Sequence, residues 1–341
     1  MKKIAAWLLA FACCVPASLR AQPFRLPTAN QALFDPDGAE KFFAGTTGQP
    51  WKTGTFGCVR TEGRQMHEGL DIKSIQRDRR GEPTDPVMAT ADATVAYINH
   101  RPGLSNYGNY VVLKHVIDGL EIYSVYAHLS AVRENLRVGT TVKAGEVIAT
   151  MGRTSNTRER ISKERAHVHF ELNLIYNEHY SEWVQKMDPA QRNDHGNWNG
   201  QNLAGLDARL ILLAQREQGE KFRLSQWLQS RPELCRIFIR RKTLAWLQHY
   251  PGLIRRNPAA EKNGTAGYEI SLDYNGAPIQ ITPRSESEIP FRTEGTAPRL
   301  LSVSDAEQEK NPCRKLVSKR TGQWQLTPHA LQLLDLLAFP R

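Results

Sequence analysis

Short apolar runs separated by turn residues dominate the chain between residues 87 and 174. The clearest of these runs are residues 94–98, 110–113, 122–126 and 168–172. Runs of this length, rich in Val, Ile and aromatic residues and bounded by Gly and Asn, are typical of β-strands. The pattern therefore predicts an antiparallel β domain in this part of the chain.

The last third of the chain mixes helical and strand-like patterns. Residues 223–228 and 327–337 have helical patterns. Residues 268–274 and 278–282 are strand-like and are connected through Asn275 and Gly276, which is a typical hairpin sequence. We therefore expect a small α+β module over residues 214–341.

Two short segments place possible metal ligands at strand-like spacings. His67 and Asp71 are four residues apart, and His167 and His169 are two apart. Residues i, i+2 and i+4 of a strand point to the same face, whereas a helix would separate i and i+2 by roughly 200°, and Gly69 disfavours a helix. Zinc accepts imidazole and carboxylate, and three protein ligands with one open position are typical of a catalytic site. The four candidate residues are therefore one more than a catalytic zinc site requires.

Further motifs accompany these segments in a fixed order along the chain. Downstream of His-x-x-x-Asp come 107–115 (YGNYVVLKH), 126–130 (YAHLS), 144–149 (AGEVIA) and 167–172 (HVHFEL). In this order the motifs resemble the lysostaphin-type zinc metallopeptidases, which cut the peptides of bacterial peptidoglycan. The resemblance covers roughly residues 60–175, about a third of the chain.

The resemblance implies a division of labour among five residues. His67, Asp71 and His169 would hold one zinc ion per chain, and His128 and His167 would form the catalytic pair. This division agrees with zinc chemistry, because zinc acidifies water and polarises a carbonyl, and histidine can move protons near neutral pH. The tyrosine that assists catalysis in some family members has no obvious counterpart just before His67, so the group that stabilises the oxyanion is left unassigned.

The resemblance also implies a compact antiparallel sheet with the zinc groove across it. The expected fold class is mainly β, with the smaller α+β module at the C-terminus. The expected organisation is a signal peptide (1–21), an N-terminal extension (22–45), a metallopeptidase domain (46–213) with an insertion (177–204), and the C-terminal module (214–341). The insertion is expected either to cover one end of the groove or to be a long loop without that role. The charged segment 153–165 replaces a Gly- and Ser-rich turn of the family, and is expected either to contact substrate or to be a solvated loop.

The N-terminus and the charge indicate export. Lys2 and Lys3 precede an apolar stretch over residues 4–15 that is too short to span a bilayer, which is typical of a secretory signal peptide. The chain has a net charge of +10, and removal of residues 1–21, whose charged residues are Lys2, Lys3 and Arg20, leaves +7. A basic exported protein is attracted to anionic polymers such as those of the cell wall. We expect no membrane span and no nucleic-acid partner.

The cysteines permit one disulfide in the exported protein. Cys58, Cys235 and Cys313 would remain after processing. Because Cys235 and Cys313 both lie in the C-terminal third, they are the simplest pair, and Cys58 is then expected to be a buried free thiol. Sequence alone does not determine this connectivity.

The leading hypothesis is an exported zinc metalloendopeptidase that cuts peptide bonds of peptidoglycan cross-links or stem peptides. One alternative is a non-catalytic wall-binding protein of the same fold that regulates another hydrolase. Another is a zinc peptidase that acts on a non-wall peptide.

The other histidines are interpreted as structural or ordinary: His100, His115, His179, His195, His249 and His329. Basic residues around 236–256, interspersed with aromatic ones, are expected either to form a solvated face or to hold anionic wall polymer.

Overall fold

The computed structural model describes residues 23–158, 160–289 and 297–340. The predicted signal peptide lies outside these residues. The strands are β1 (Gly57–Arg60), β2 (Gln65–His67), β3 (Leu70–Lys73), β4 (Pro86–Met88), β5 (Ala93–Asn99), β6 (Tyr110–Ile117), β7 (Leu120–Ala127), β8 (Ala131–Val132), β9 (Thr141–Val142), β10 (Val147–Thr150), β11 (His167–Ile175), β12 (Leu203–Leu206), β13 (Cys235–Ile239), β14 (Gly267–Leu272), β15 (Pro278–Arg284), β16 (Arg299–Val303), β17 (Val317–Arg320) and β18 (Gln323–Leu326). The helices are α1 (Ala39–Phe42), α2 (Tyr180–Met187), α3 (Ala208–Gln218), α4 (Leu224–Gln229), α5 (Pro258–Asn263), α6 (Asp305–Lys310) and α7 (Pro328–Leu337).

A seven-stranded antiparallel sheet forms the centre of the molecule. Its order is β12-β11-β7-β6-β5-β9, and β3 pairs with β11 as well. The strand β11 pairs with β3 over residues 167–170, with β7 over residues 169–173 and with β12 over residues 172–175, and all nine of its residues are buried. The predicted mainly antiparallel β fold is thereby confirmed, and the four strands expected from apolar runs correspond to β5, β6, β7 and β11.

The expectation that His67 and Asp71 share one strand is wrong. β2 ends at His67 and pairs with β1, whereas β3 begins at Leu70 and pairs with β11. The chain changes partner at Gly69, where a Cβ atom would lie only 2.5 Å from the carbonyl oxygen of Phe170. Glycine permits this close approach because it has no side chain. The two candidate ligands still converge, but through a change of strand rather than through one continuous strand.

The C-terminal region contains the predicted helices and hairpin. β14 and β15 form the hairpin within a four-stranded sheet of order β15-β14-β13-β16, and α4 and α7 correspond to the two helical patterns. This region packs directly on the central sheet: Trp246 Nε1 donates a hydrogen bond to the Ile175 carbonyl (2.8 Å), and the Tyr250 hydroxyl accepts one from the Ile175 amide (2.9 Å). Its buried apolar side chains belong to the same continuous cluster as those of the central sheet. The expected boundary at residue 213 falls inside α3.

The disulfide differs from the expected one. Cys58 on β1 is bonded to Cys313, with a Cα–Cα distance of 5.5 Å, whereas Cys235 is a fully buried free thiol. The predicted pair Cys235–Cys313 is therefore wrong. Cys235 lies on the interior strand β13 and points into the core, while the segment containing Cys313 passes beside β1. The bond thus connects the C-terminal region to the strand that precedes His67.

None of the helices in the described part of the chain has the length and apolarity needed to cross a bilayer.

Replacement of both Cys58 and Cys313 by serine is expected to lower the free energy of unfolding by about 2–5 kcal/mol, because the bond closes a loop of 255 residues and so restricts the unfolded chain. Denaturant unfolding of the oxidised proteins measures the difference. Non-reducing peptide mapping is the companion measurement, with Cys235→Ala as the control that should retain the bond. A mapped peptide joining Cys235 to Cys313 would contradict the assignment.

Candidate metal centre and groove

The register of β11 brings the candidate metal ligands together. His169 lies directly opposite Asp71 of β3 on one side and opposite Ala127 of β7 on the other. Because β7 ends at Ala127, the next residue, His128, leaves the sheet beside His169. His67, at the end of β2, completes the cluster. Residues from four separate stretches of chain therefore meet at one point on β11.

Three donor atoms converge at this point. His67 Nε2, Asp71 Oδ1 and His169 Nδ1 lie 2.9–3.1 Å from one another. Ligands of a tetrahedral zinc ion at a bond length of about 2.0–2.1 Å are about 3.3 Å apart, so these separations fit a metal ion of this size. Within the described residues this is the group of His, Cys, Asp and Glu side chains whose donor atoms could hold a metal ion.

Hydrogen bonds on the far side of each imidazole orient the donors. His67 Nδ1 faces the Thr55 carbonyl oxygen at 2.8 Å, and His169 Nε2 faces Glu171 Oε1 at 2.7 Å. Both partners are acceptors, so these nitrogens carry the protons and leave the opposite nitrogens with free lone pairs in the neutral rings. Two imidazole lone pairs and a carboxylate oxygen within about 3 Å repel one another unless a cation lies between them. The donor set therefore fits a bound metal ion.

The electrostatics of the cluster favour a positive charge. Burial raises the pKa of Asp71, but the neighbouring His67 and His167 and a hydrogen bond from His169 outweigh it and hold the pKa well below its ordinary value. Burial lowers the pKa of His169, yet hydrogen bonds to Asp71 and Glu171 outweigh burial and raise it to about 9. Two carboxylates therefore stabilise a cation at this position, either a proton or a metal ion.

His128 and His167 lie next to the cluster with one nitrogen anchored each. His128 Nδ1 donates to the Thr154 carbonyl (2.8 Å), and His167 Nδ1 donates to the Arg165 carbonyl (2.6 Å). Their ring centroids are 4.9 Å apart. Burial lowers the pKa of both rings, so both are neutral with a free Nε2 lone pair at neutral pH. His128 has a φ of +63°, a conformation that costs energy for a non-glycine residue and is common at functional sites.

A groove with a volume of about 840 Å³ runs over this cluster. All five predicted site residues line it. The segment predicted as an insertion forms part of its wall through His195, Trp198 and Gln201. This segment contains α2, and its last two residues, 203 and 204, already belong to β12, which pairs with β11.

Several groove residues were missed by the sequence analysis. Arg60 Nη2 donates to Asp71 Oδ2 (2.7 Å), and the Tyr107 hydroxyl donates to Glu171 Oε1 (2.6 Å). Glu171 was detectable, because it lies two residues after His169 on the same face of a strand. Arg60, Tyr107 and His195 carry no such signal, since tertiary contacts alone bring them to the groove.

The charged segment 153–165 divides between the two expected roles. Arg153 and Lys163 form ion pairs with Glu82, at 2.8 and 3.3 Å, which attach the segment to the surface. Ser155 and Arg165 line the groove. The segment is therefore partly a surface loop and partly a wall of the groove.

His115 lies outside the metal cluster, as expected. It is 1% exposed, its Nε2 is 2.7 Å from the Ser124 hydroxyl, and its Nδ1 faces the Asp92 carbonyl. Burial lowers its pKa to about 4. These contacts are those of a neutral core histidine.

Comparison with known proteins identifies the family of the chain. The model of peptidase family M23 matches residues 65–182. The lipoprotein NlpD of Yersinia enterocolitica is 37% identical over 95 residues, which are 28% of this chain and 84% of that protein. The chain belongs to peptidase family M23.

Two further similarities are partial. The murein hydrolase activator NlpD of Escherichia coli K12 is 36% identical over 106 residues, which are 31% of this chain and 22% of that protein. The chain thus spans about a fifth of the length of the curated activators that it matches. Among solved structures, the catalytic domain of lysostaphin from Staphylococcus simulans has 28% identity and a TM-score of 0.25, covering 35% of this chain and 74% of that one.

We expect the purified protein to contain one zinc ion per chain and His169→Ala to lose it, because two ligand atoms cannot replace the third. His128→Ala is expected to retain the metal, since its ring is not among the three converging donors. Elemental analysis after gel filtration measures both. His179→Ala, which removes a half-exposed histidine outside the groove, is the control. Equal zinc content in the native protein and His169→Ala would refute the ligand assignment.

Glu171→Gln is expected to weaken zinc affinity about 10–100-fold, because the amide no longer supplies the carboxylate that orients His169 and makes its Nδ1 more basic. Competition with a chromogenic chelator measures the affinity. Glu62→Gln, at a highly exposed position, should leave the affinity unchanged. An unchanged affinity in Glu171→Gln would show that the orientation of His169 does not depend on this carboxylate.

Proposed function

We propose that this protein is an exported zinc metalloendopeptidase that hydrolyses peptide bonds in the cross-links or stem peptides of peptidoglycan. The observation that carries the proposal is the convergence of three donor atoms, from His67, Asp71 and His169, in an open groove beside two anchored histidines. Membership of peptidase family M23 supports the hydrolase class.

The residues of the groove have separable roles in the proposed reaction. His67, Asp71 and His169 would hold zinc, which when bound polarises the scissile carbonyl and acidifies water. His128 and His167 present free Nε2 atoms, so either would accept the proton of the attacking water, and that same proton would then be passed to the leaving amine. The Thr154 and Arg165 carbonyls keep both rings in the orientation that this requires.

The substrate class follows from charge and from the relatives. The chain has a net charge of +10, which favours binding to anionic wall material. The similar proteins are named murein hydrolase activators and a lipoprotein, and these names support a function in the cell envelope. The predicted signal peptide agrees with export.

The same names favour a second candidate function. As a relative of murein hydrolase activators, the protein would bind the wall without cutting it and would stimulate another hydrolase. The complete set of converging donors supports the enzyme over this alternative. A zinc peptidase that acts on a non-wall peptide uses the same chemistry, and the identity of the cleaved substrate decides that question.

Incubation of the purified protein with isolated peptidoglycan is expected to release fragments with fewer cross-links or with shortened peptides, detected by mass spectrometry. A chelator should abolish release. His128→Ala should reduce it by about 100-fold or more while retaining zinc, because it removes a general acid or base. The control variant His179→Ala should behave as the native protein.

Three other outcomes separate the alternatives. Stimulation of an added murein hydrolase without release by the protein alone would favour the activator. Cleavage of unrelated peptides but not of peptidoglycan would favour the non-wall peptidase. Release that persists in both the chelator and His128→Ala would contradict the metal mechanism.

A further inference from the structure

A second cavity opens beside the groove, between the central sheet, the insertion and the C-terminal region. Its volume is about 360 Å³, within the range of about 300–1,000 Å³ that is usual for small-molecule sites. Glu68, Gly200 and Gln201 line both this cavity and the groove. A peptide bound in the groove can therefore continue into the second cavity. It would pass Glu68, the residue that follows the metal ligand His67. We call this cavity the arm pocket.

The arm pocket has an apolar wall and a polar mouth. Tyr176, Tyr180 and Trp183 supply buried aromatic surface on one side, and Leu333 and Leu336 of α7 face them. Such a wall suits an aliphatic portion of a ligand. The wall combines residues that follow β11 with residues of α2 and α7. The pocket therefore forms only when these three parts of the chain pack together.

Charged groups of both signs meet at the mouth. Arg314 Nη1 lies 3.9 Å from Glu68 Oε1, beyond hydrogen-bonding distance. Arg314 and Glu68 both line the pocket, together with His329, whose pKa is lowered by burial and by the positive charge of Arg314. A guanidinium and a carboxylate at this separation can each bind a ligand group without first breaking a close ion pair.

Buried polar atoms in the pocket lack a full set of partners. Asn275 is 1% exposed, and its Nδ2 donates to the Gly205 carbonyl (2.7 Å). Its Oδ1 is buried and has no hydrogen-bond partner among the described residues, and the same holds for Arg314 Nε. An unsatisfied buried acceptor costs free energy, which a ligand N–H group would recover.

We propose that the arm pocket binds a peptide arm that carries a carboxylate, with Arg314 pairing with the carboxylate and Asn275 Oδ1 and Glu68 accepting N–H groups. This inference rests on the proposed function, because the arm would be the part of a cross-linked wall peptide that leads away from the bond at the metal centre. The pocket would then select cross-linked substrates over single stem peptides, since a single peptide fills the groove alone.

The test is isothermal titration calorimetry with the full-length His128→Ala protein, which should bind substrate without turning it over. The probes are a purified cross-linked muropeptide dimer with free carboxylates and the same dimer after amidation. The additional change Arg314→Ala is expected to raise the Kd for the free-carboxylate dimer about tenfold or more and to remove its preference over the amidated dimer. Lys315→Ala, the loss of an exposed positive charge one residue away and outside the pocket lining, should leave both Kd values unchanged.

A second variant tests the pocket without removing Arg314, in case the Arg314→Ala protein misfolds. Gln332 is exposed on α7 at the mouth of the pocket, so Gln332→Trp should fill the pocket and weaken binding of the dimer without changing the thermal unfolding temperature. Binding by Arg314→Ala and Gln332→Trp that equals the parent protein would overturn the inference.

The peptidoglycan release assay distinguishes the two proposals. Release by the native protein together with unaffected binding in both pocket variants would refute the pocket and leave the proposed function intact. Absence of release together with carboxylate-dependent binding would refute the peptidase and support the pocket in a binding protein. Absence of both release and dimer binding would refute both.

Discussion

The pairing of β11 with β3 on one side and β7 on the other is the constraint on which the rest of the site depends. Backbone hydrogen bonds set this register, and a shift by one residue would turn His167 and His169 to the opposite face of the sheet. The register also places Asp71 and Ala127 on either side of His169. Because Ala127 is the last residue of β7, His128 leaves the sheet next to His169. The full burial of β11 stabilises the register, because every alternative would expose apolar residues or bury unpaired polar groups.

The polar groups behind the metal cluster determine what the cluster can do. The Thr55 carbonyl and Glu171 each accept a hydrogen bond from an imidazole N–H and so direct the opposite ring nitrogen into the centre. Glu171 is itself held by the Tyr107 hydroxyl and by Asn173 Nδ2. These hydrogen bonds engage the outer atoms of the network and leave the inner donors available to a cation.

The regions outside the sheet form the surroundings of the groove. Residues of the segment 177–204 supply one wall, and the C-terminal region closes the adjacent pocket and is joined to β1 by the Cys58–Cys313 bond. The family model matches residues 65–182, so residues 183–204 and the C-terminal region lie beyond the matched segment. They leave the donor set intact and shape the access to it.

The sequence by itself determined the strand pattern, the hairpin at Asn275-Gly276 and the candidate ligands, because these depend on local spacing and on residue chemistry. It could not determine which strands are neighbours. That is why a continuous strand was expected through Gly69, why Cys235 was paired with Cys313, and why Arg60, Tyr107 and His195 were not recognised as groove residues. Each of these depends on contacts between residues far apart in sequence, and such contacts result from burial of the whole chain rather than from the preferences of any one segment. The tertiary structure alone decided the partners of β11, the disulfide and the pocket beside the groove.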